Sequence, residues 1–215
     1  MRRRFEHFLS QLAAVEVSDR ATNQFSRTIG DLQGNAIRRR NLRLYLEQLT
    51  AIAPRMLLIG EAVSYRGGRL TGIAFVSETL MLGGIDTRSG RVLGADFGYR
   101  KATAGAKLST EASATMVWST IREVAPLPLL WNAFPFHPFH AGEPDSNRAP
   151  AAAELLLGER FIERLLEMFP IEQVVAIGNQ ASLSLTRMNI AHAKVRHPSQ
   201  GGKRLFVEGM RRLTT

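Results

Sequence analysis

Short apolar runs alternate with longer amphipathic stretches along most of this chain. The runs have the length of buried strands, and the stretches repeat their apolar residues with the period of a helix. The predicted strands cover residues 56–59, 129–131, 174–177 and 194–196. The predicted helices cover residues 5–12, 36–49, 111–124, 151–169 and 203–213, and one more begins at residues 178–179.

This alternation of strands and helices predicts an α/β fold, a three-layer α/β/α sandwich around a central, mainly parallel four-stranded sheet. The length of 215 residues is typical of one domain, so we assign residues 1–215 to a single domain. Within it, residues 1–35 are predicted to form an N-terminal helix and an irregular arm. The glycine-rich residues 82–107 are predicted to form a mobile loop, with room for a short helix or hairpin.

Each predicted strand ends at a polar or conformationally special residue. These residues are Glu61, Asn132, the pair Gly178-Asn179, and His197. Ligands of open α/β sheets bind in the crevice beyond the carboxyl ends of the strands. The sequence therefore predicts that the strand ends converge on one pocket.

Composition narrows the classes of partner and chemistry. Lys and Arg number 28 against 19 Asp and Glu, which gives a net charge of +9 and favours a polyanionic partner, nucleic acid before an anionic membrane surface. The chain has no cysteine, which excludes disulfides, thiol catalysis and cysteine-held clusters. No apolar run approaches the roughly 20 residues that span a bilayer, so we expect a cytoplasmic protein without membrane contact.

Two clusters have alternative interpretations. The arginines at 38, 39, 40 and 43 could contact phosphates or form a solvated helix face. The set Glu61, His137 and His140 could hold a metal, but the proline-rich segment around the histidines gives no regular ligand spacing. We therefore predict neither a metal nor a cofactor.

The strand-end residues offer complementary chemistry. The amide of Asn132 can recognise a planar edge that presents a donor beside an acceptor, such as the edge of a pyrimidine. Phe75 offers a face for stacking, and His197 can donate to an oxygen that gains negative charge. Glu61 can position or activate water, and Gly178-Asn179 at a helix N-terminus can hold a phosphate. Together they suit hydrolysis of an N-glycosidic bond.

Each of these residues also has a structural explanation. An Asn at a strand end is often a turn former, a lone Phe is often part of the core, and His197 before Pro198 could tie a loop together. The functional interpretation rests on their joint order along the chain.

From about residue 23 to the C-terminal helix, the chain resembles the uracil-DNA glycosylase superfamily. The segments GEA at 60–62 and GIAF at 72–75 resemble its first motif, which holds the catalytic water and a base-stacking Phe. LWNA at 130–133 resembles the segment whose Asn recognises uracil, and GNQA at 178–181 resembles the loop that grips DNA phosphate. HPS at 197–199 resembles the second motif, whose His contacts uracil and whose following loop enters the minor groove.

The resemblance implies a monomeric DNA repair enzyme that flips uracil out of DNA and hydrolyses its N-glycosidic bond, with DNA as its partner. It implies that Glu61 and His197 are catalytic. It implies substrate contacts at Ala62, Ser64, Phe75 and Asn132. It also implies DNA contacts at Gly178, Asn179, Ser199, Gln200, Lys203 and Arg204.

Three departures from the superfamily's patterns keep alternatives open. Ala62 stands where the best-known branch has Asp, Ser64 stands where it has Tyr, and Val63 replaces a Pro. An acid at Glu61 resembles the iron–sulfur branch, yet this chain has no cysteines for a cluster. The chain is thus expected to form a divergent, cysteine-free branch. The alternatives are a weakly active or inactive protein that binds abasic or damaged DNA, a glycosylase for hypoxanthine or a 5-modified uracil, and an unrelated α/β nucleotide hydrolase.

Overall fold

A computed structural model describes residues 2–214, and the helices and strands alternate over most of that length. The helices are α1 (Arg2–Ala13), α2 (Leu32–Ile52), α3 (Gly68–Thr71), α4 (Glu78–Gly83), α5 (Ala112–Ile121), α6 (Ala152–Met168), α7 (Asn179–Arg187) and α8 (Lys203–Thr214). The strands are β1 (Ala21–Thr22), β2 (Met56–Ala62), β3 (Ile85–Thr87), β4 (Gly90–Val92), β5 (Leu129–Phe134), β6 (His137–Pro138), β7 (Gln173–Ile177) and β8 (Ala193–Val195). No helix in this described part is long and apolar enough to cross a membrane.

Four parallel strands form the central sheet in the order β5-β2-β7-β8, and helices flank it. This confirms the predicted α/β fold with a central four-stranded sheet. Every residue of β5 is buried, as expected for a parallel strand covered on both faces. The parallel pairing places Gly60 of β2 beside Asn132 of β5. The carboxyl ends of both strands therefore meet at the same edge.

Aromatic and aliphatic side chains fill the layers beside the sheet. Phe8 of α1 packs against Trp131 of β5 and Phe161 of α6, with ring centroids 5.6 Å apart in both pairs. Helix α6 lies so close to β5 that a Cβ at Gly158 would fall 1.7 Å from the Ala133 carbonyl oxygen. Only glycine allows this approach, so a residue without a side chain sets the distance between helix and sheet.

Several element bounds differ from the predicted ones. Strand β2 continues through Ala62, so Glu61 is the second-last residue of the strand and does not lie beyond it. Helix α2 begins at Leu32 because Asp31 caps it, accepting the Gly34 N–H at 2.9 Å. The arm predicted to be irregular contains β1, which pairs antiparallel with β6.

The arginine cluster of α2 is largely committed to structural contacts. Arg38 is 7% exposed and donates to the Leu70 carbonyl, and Arg39 donates to the Phe25 and Ser26 carbonyls. Arg40 donates to the Gly98 carbonyl. These side chains hold α3 and two loops against α2. The predicted alternatives of a phosphate site or a solvated face do not describe them.

Residues 82–107 contain the β3–β4 hairpin and a 3₁₀ turn, Ala95–Phe97. The Gln48 carboxamide of α2 accepts hydrogen bonds from the Leu93 N–H and the Tyr99 hydroxyl, at 3.0 and 2.7 Å. Leu93 and Tyr99 are buried. The segment is thus anchored at several points, and its mobility stays a prediction.

An ion pair between Arg148 and Glu154 joins the loop before α6 to the arm. The guanidinium donates to both carboxylate oxygens at 2.7 Å, and it also donates to the Arg20 carbonyl. Burial opposes the charge of Glu154, but hydrogen bonds from Arg148, the Ala151 N–H and Ser18 outweigh it and lower the pKa of Glu154 to about 2. The carboxylate therefore stays charged in the folded protein.

We expect Glu154→Gln to lower the free energy of unfolding by about 3 kcal/mol, because it leaves a largely buried guanidinium without its charge partner. Since the folded pKa lies below the unfolded value, the wild type holds this contribution above about pH 4.5 and loses it as the pH falls toward 2. Urea unfolding from pH 7 to pH 2.5 measures both effects.

The matched control for this experiment is Glu167→Gln, because Glu167 forms an exposed ion pair with Arg164. It should change the free energy of unfolding by less than about 1 kcal/mol. Equal losses in the two variants would contradict the assignment.

Candidate active site

A pocket of about 430 Å³ opens at the carboxyl ends of β2 and β5. Its volume lies within the range typical of small-ligand sites. It is lined by eight of the predicted site residues, which are Glu61, Ala62, Ser64, Phe75, Asn132, His197, Ser199 and Gln200. The structure thus brings the predicted catalytic and substrate-binding residues together.

The other four predicted residues lie outside the pocket lining. Gly178 caps α7 with φ +91°, and a Cβ built there would lie 3.4 Å from the Cβ of His197. Asn179 is exposed at the first position of α7, and Lys203 and Arg204 are exposed at the start of α8. Their predicted contacts with DNA stay predictions.

The Phe75 ring and the Asn132 amide lie close against the backbone of Gly60. A Cβ at Gly60 would lie 2.3 Å from the Cζ of Phe75 and 2.5 Å from the Oδ1 of Asn132. The Phe75 ring and the amide therefore both rest against the bare backbone of β2. Asn132 is 2% exposed, and no described residue donates a hydrogen bond to its Oδ1. A buried amide oxygen of this kind is normally paired, and here it borders an open pocket.

The backbone of Phe75 has φ +54°, in the left-handed region that non-glycine residues rarely adopt. The indole N–H of Trp118 in α5 donates to the Phe75 carbonyl at 2.9 Å and helps hold this conformation. Such strain is found at sites where the surrounding structure fixes a functional side chain. Here it aims the ring at the pocket.

The hydrogen bonds of His197 fix its tautomer. Its Nδ1 lies 3.2 Å from the Ser199 backbone N–H and 2.7 Å from the Ser199 hydroxyl. A backbone N–H can only donate, so Nδ1 accepts and the neutral ring carries its proton on Nε2. Burial, with Arg196 nearby, lowers the pKa of His197. A neutral imidazole with an Nε2–H donor therefore borders the pocket, 6.5 Å from the Phe75 ring between centroids.

Two carboxyl groups line the pocket, and burial raises the pKa of both. Glu61 lies near the end of β2, and its place in a pocket at the strand ends was predicted from the sequence. Glu111 comes from the residue before α5, and sequence analysis did not single it out. The Ser64 hydroxyl beside Glu111 partly offsets the effect of burial on that carboxyl.

The wall formed by residues 147–149 was not predicted from the sequence. The Asn147 side chain accepts the Tyr65 N–H at 3.0 Å, and Arg69 donates to the Pro144 carbonyl and to Asp145. These bonds join the loop after β6 to the loop after β2 and to α3. The only sequence signal was a polar segment rich in Gly, Pro and Asn, which predicts a loop but not its position.

His137 strengthens the same junction. Its ring is fully buried, with Nδ1 2.9 Å from the Val63 carbonyl and Nε2 3.2 Å from the Pro144 carbonyl. Both nitrogens thus face backbone oxygens, and the residue serves loop packing. Among residues 2–214 there is no group of three His, Asp or Glu side chains that could hold a metal.

The overall fold resembles that of a solved protein. A crystal structure of SMUG2 from Pedobacter heparinus matches with a TM-score of 0.60, covering 96% of this chain and 94% of that one at 14% sequence identity. This likeness is one of fold. No protein-family model matches the sequence, and no curated protein matches it.

We expect Gly60→Ala to lower the free energy of unfolding by about 1–3 kcal/mol, because the new methyl group overlaps the Phe75 ring and the Asn132 amide. Gly83→Ala is the matched control, since a Cβ there has no described atom within 4 Å and its helical position favours Ala. Thermal unfolding of both variants measures the difference. A Gly60→Ala protein as stable as Gly83→Ala would show that the close approach at Gly60 is not required.

Proposed function

We propose that this protein is a DNA glycosylase that takes a flipped uracil into the pocket and hydrolyses its N-glycosidic bond. The observation that carries the proposal is the unpaired Oδ1 of Asn132, buried against Gly60 and beside the Phe75 ring. A flat ring and an unpaired amide oxygen at one point suit a base that stacks on Phe75 and pairs with Asn132. The fold likeness to SMUG2, a uracil-DNA glycosylase-type enzyme, supports the same class of activity.

In the proposed reaction the bond between the base nitrogen and the sugar C1′ breaks, and its electron pair leaves with the base. The Nε2–H of neutral His197 donates to the base oxygen that gains negative charge. Water attacks C1′, and Glu61 orients the water and accepts its proton. The products are a free base and an abasic site. A carboxylate with a raised pKa is a stronger base than an ordinary Glu, which suits this role.

DNA is the proposed partner. The net charge of +9 supports binding to a phosphate backbone, and such binding weakens as salt concentration rises. The predicted DNA contacts at Gly178, Asn179, Lys203 and Arg204 stand outside the base pocket, where a backbone could pass. A monomeric state and a cytoplasmic location remain part of the proposal.

Three alternatives remain from the sequence. Ala62 provides no acid, which favours a protein that binds abasic or damaged DNA without efficient cleavage. The small Ser64 side chain favours a different base, such as hypoxanthine or a 5-modified uracil. A nucleotide hydrolase would act on free nucleotides and not on DNA.

The direct test is cleavage of a labelled oligonucleotide that contains one uracil, followed by alkali. We expect the wild type to release uracil, and we expect Glu61→Ala and His197→Ala to reduce the rate by about 100-fold or more. The matched controls are Glu143→Ala and His140→Ala, because both residues are exposed outside the pocket lining. Tight binding to abasic DNA without release of uracil would favour the lesion-binding alternative. The absence of both uracil release and abasic-DNA binding would contradict the proposal.

A second test concerns base recognition. Asn132→Asp replaces the amide NH₂ with a carboxyl oxygen, so the pocket loses a donor toward the base. We expect uracil release to fall by about 100-fold and cytosine to become a better substrate than in the wild type. Asn147→Asp is the control, because Asn147 lines the pocket from an exposed loop. An unchanged preference in Asn132→Asp would remove the amide from base recognition.

A further inference from the structure

Glu111 occupies the N-cap position of α5 but does not use its side chain as a cap. Its carbonyl accepts the Thr115 N–H at 3.1 Å, while its carboxyl makes no capping hydrogen bond within the described chain. Acidic residues at helix N-termini usually accept the free N–H groups there. Here the carboxyl instead lines the pocket. The local helix signal therefore does not explain this acid.

Gly67, in the loop after β2, leaves room for the Glu111 carboxyl. A Cβ at Gly67 would lie 1.8 Å from the Oε2 of Glu111, so any other residue at Gly67 would displace the acid. The same point lies 3.1 Å from the Ser64 Oγ. The backbone of the loop after β2 is thus in direct contact with the Glu111 carboxyl and the Ser64 hydroxyl.

Ser64 and Glu111 form a polar wall that lacks a full set of partners. The Ser64 Oγ is buried, and no described residue forms a hydrogen bond of ordinary geometry with it. Burial raises the pKa of Glu111, and the nearby Ser64 hydroxyl opposes this only in part. Buried polar groups without partners are unfavourable by about 1–3 kcal/mol each. A ligand that hydrogen-bonds this wall, or leaves water on it, is favoured over one that covers it with a methyl group.

Glu111 is separate from the proposed catalytic acid. Glu61 lies in β2, whereas Glu111 lies directly before α5. The two acids therefore reach the pocket from different elements of the fold. By the roles proposed above, Asn132 and His197 take the oxygens and the N3–H of uracil, which leaves the C5 edge of the base for the remaining polar wall.

We infer that Glu111 is a specificity-determining residue, whose carboxyl, together with the Ser64 hydroxyl, rejects a base with a methyl group on the edge facing it. This inference rests on the proposed function and deepens it. Thymine is the DNA base that carries such a methyl group. The side chain of Ser64 is too small to exclude thymine by its own bulk, so polar desolvation at Glu111 supplies the discrimination. A site whose buried polar groups lose their partners rejects a ligand more strongly than an apolar pocket does.

The experiment measures the ratio of kcat/KM for uracil to kcat/KM for thymine in otherwise identical oligonucleotides. We expect Glu111→Met, which is apolar and of similar length, to lower this ratio at least tenfold, mainly by raising thymine release. Glu111→Gln keeps a polar group at the wall and should retain the ratio within about threefold. Glu143→Gln, an exposed acid outside the pocket lining, is the matched control and should leave the ratio unchanged.

A purely structural role of Glu111 would lower both rates together, and the ratio would stay constant. A ratio within twofold of wild type in folded Glu111→Met, with folding checked by thermal unfolding, overturns the inference. If the wild type releases no base at all, the proposed function fails by that result alone. Equilibrium binding of uncleaved uracil and thymine oligonucleotides then gives the corresponding affinity ratio, and an equal ratio in wild type and Glu111→Met would overturn the role of Glu111 as well.

Discussion

The contact of the Phe75 ring and the Asn132 amide with bare backbone at Gly60 is the constraint on which the site depends. Parallel pairing puts Gly60 beside Asn132, so the absence of a side chain on one strand makes room for the polar side chain of the next. The loop after β2 must then fold back toward the strand, so that the Phe75 ring lies over Gly60. Trp118 of α5 anchors that return through the Phe75 carbonyl. Sheet register, loop conformation and helix position thus meet in one contact.

The site also concentrates unfavourable features. Phe75 has a strained backbone, Asn132 and Ser64 carry unpaired buried oxygens, and burial raises the pKa of Glu61. Isolated features of this kind lower stability, and they persist where the surrounding structure compensates for them. The compensation lies in the aromatic layers around Trp131 and in the polar ties that hold the loops. Such a preorganised, partly unsatisfied pocket gains most when a matching ligand enters it.

Much of the sheet and more than half of the pocket lining could be predicted from the sequence, for identifiable reasons. Parallel strands end at one edge, so apolar runs followed by Glu61, Asn132 and His197 predict a common location. Glu111 escaped prediction because an acid in the first turn of a predicted helix is expected there for the stability of the helix itself, and only the tertiary approach of Gly67 reveals another use. Arg38 escaped because an arginine on a helix predicts a solvated face, whereas its partner Leu70 in α3 is distant in sequence.

The order of the strands also places the proposed phosphate-binding turn at Gly178 beside the strand that leads to His197. Strands β7 and β8 pair so that Ile177 lies beside Val195. Gly178 follows β7 directly, and His197 lies two residues beyond the end of β8. The Gly178 N–H donates to the Val195 carbonyl at 2.9 Å, which fixes the turn into α7 against the strand that carries His197. The start of α7, where a phosphate would bind, and the proposed donor to the departing base therefore belong to one rigid junction. Displacement of this turn would move the imidazole as well, so in the proposed reaction a phosphate bound outside the pocket would help to align the donor within it.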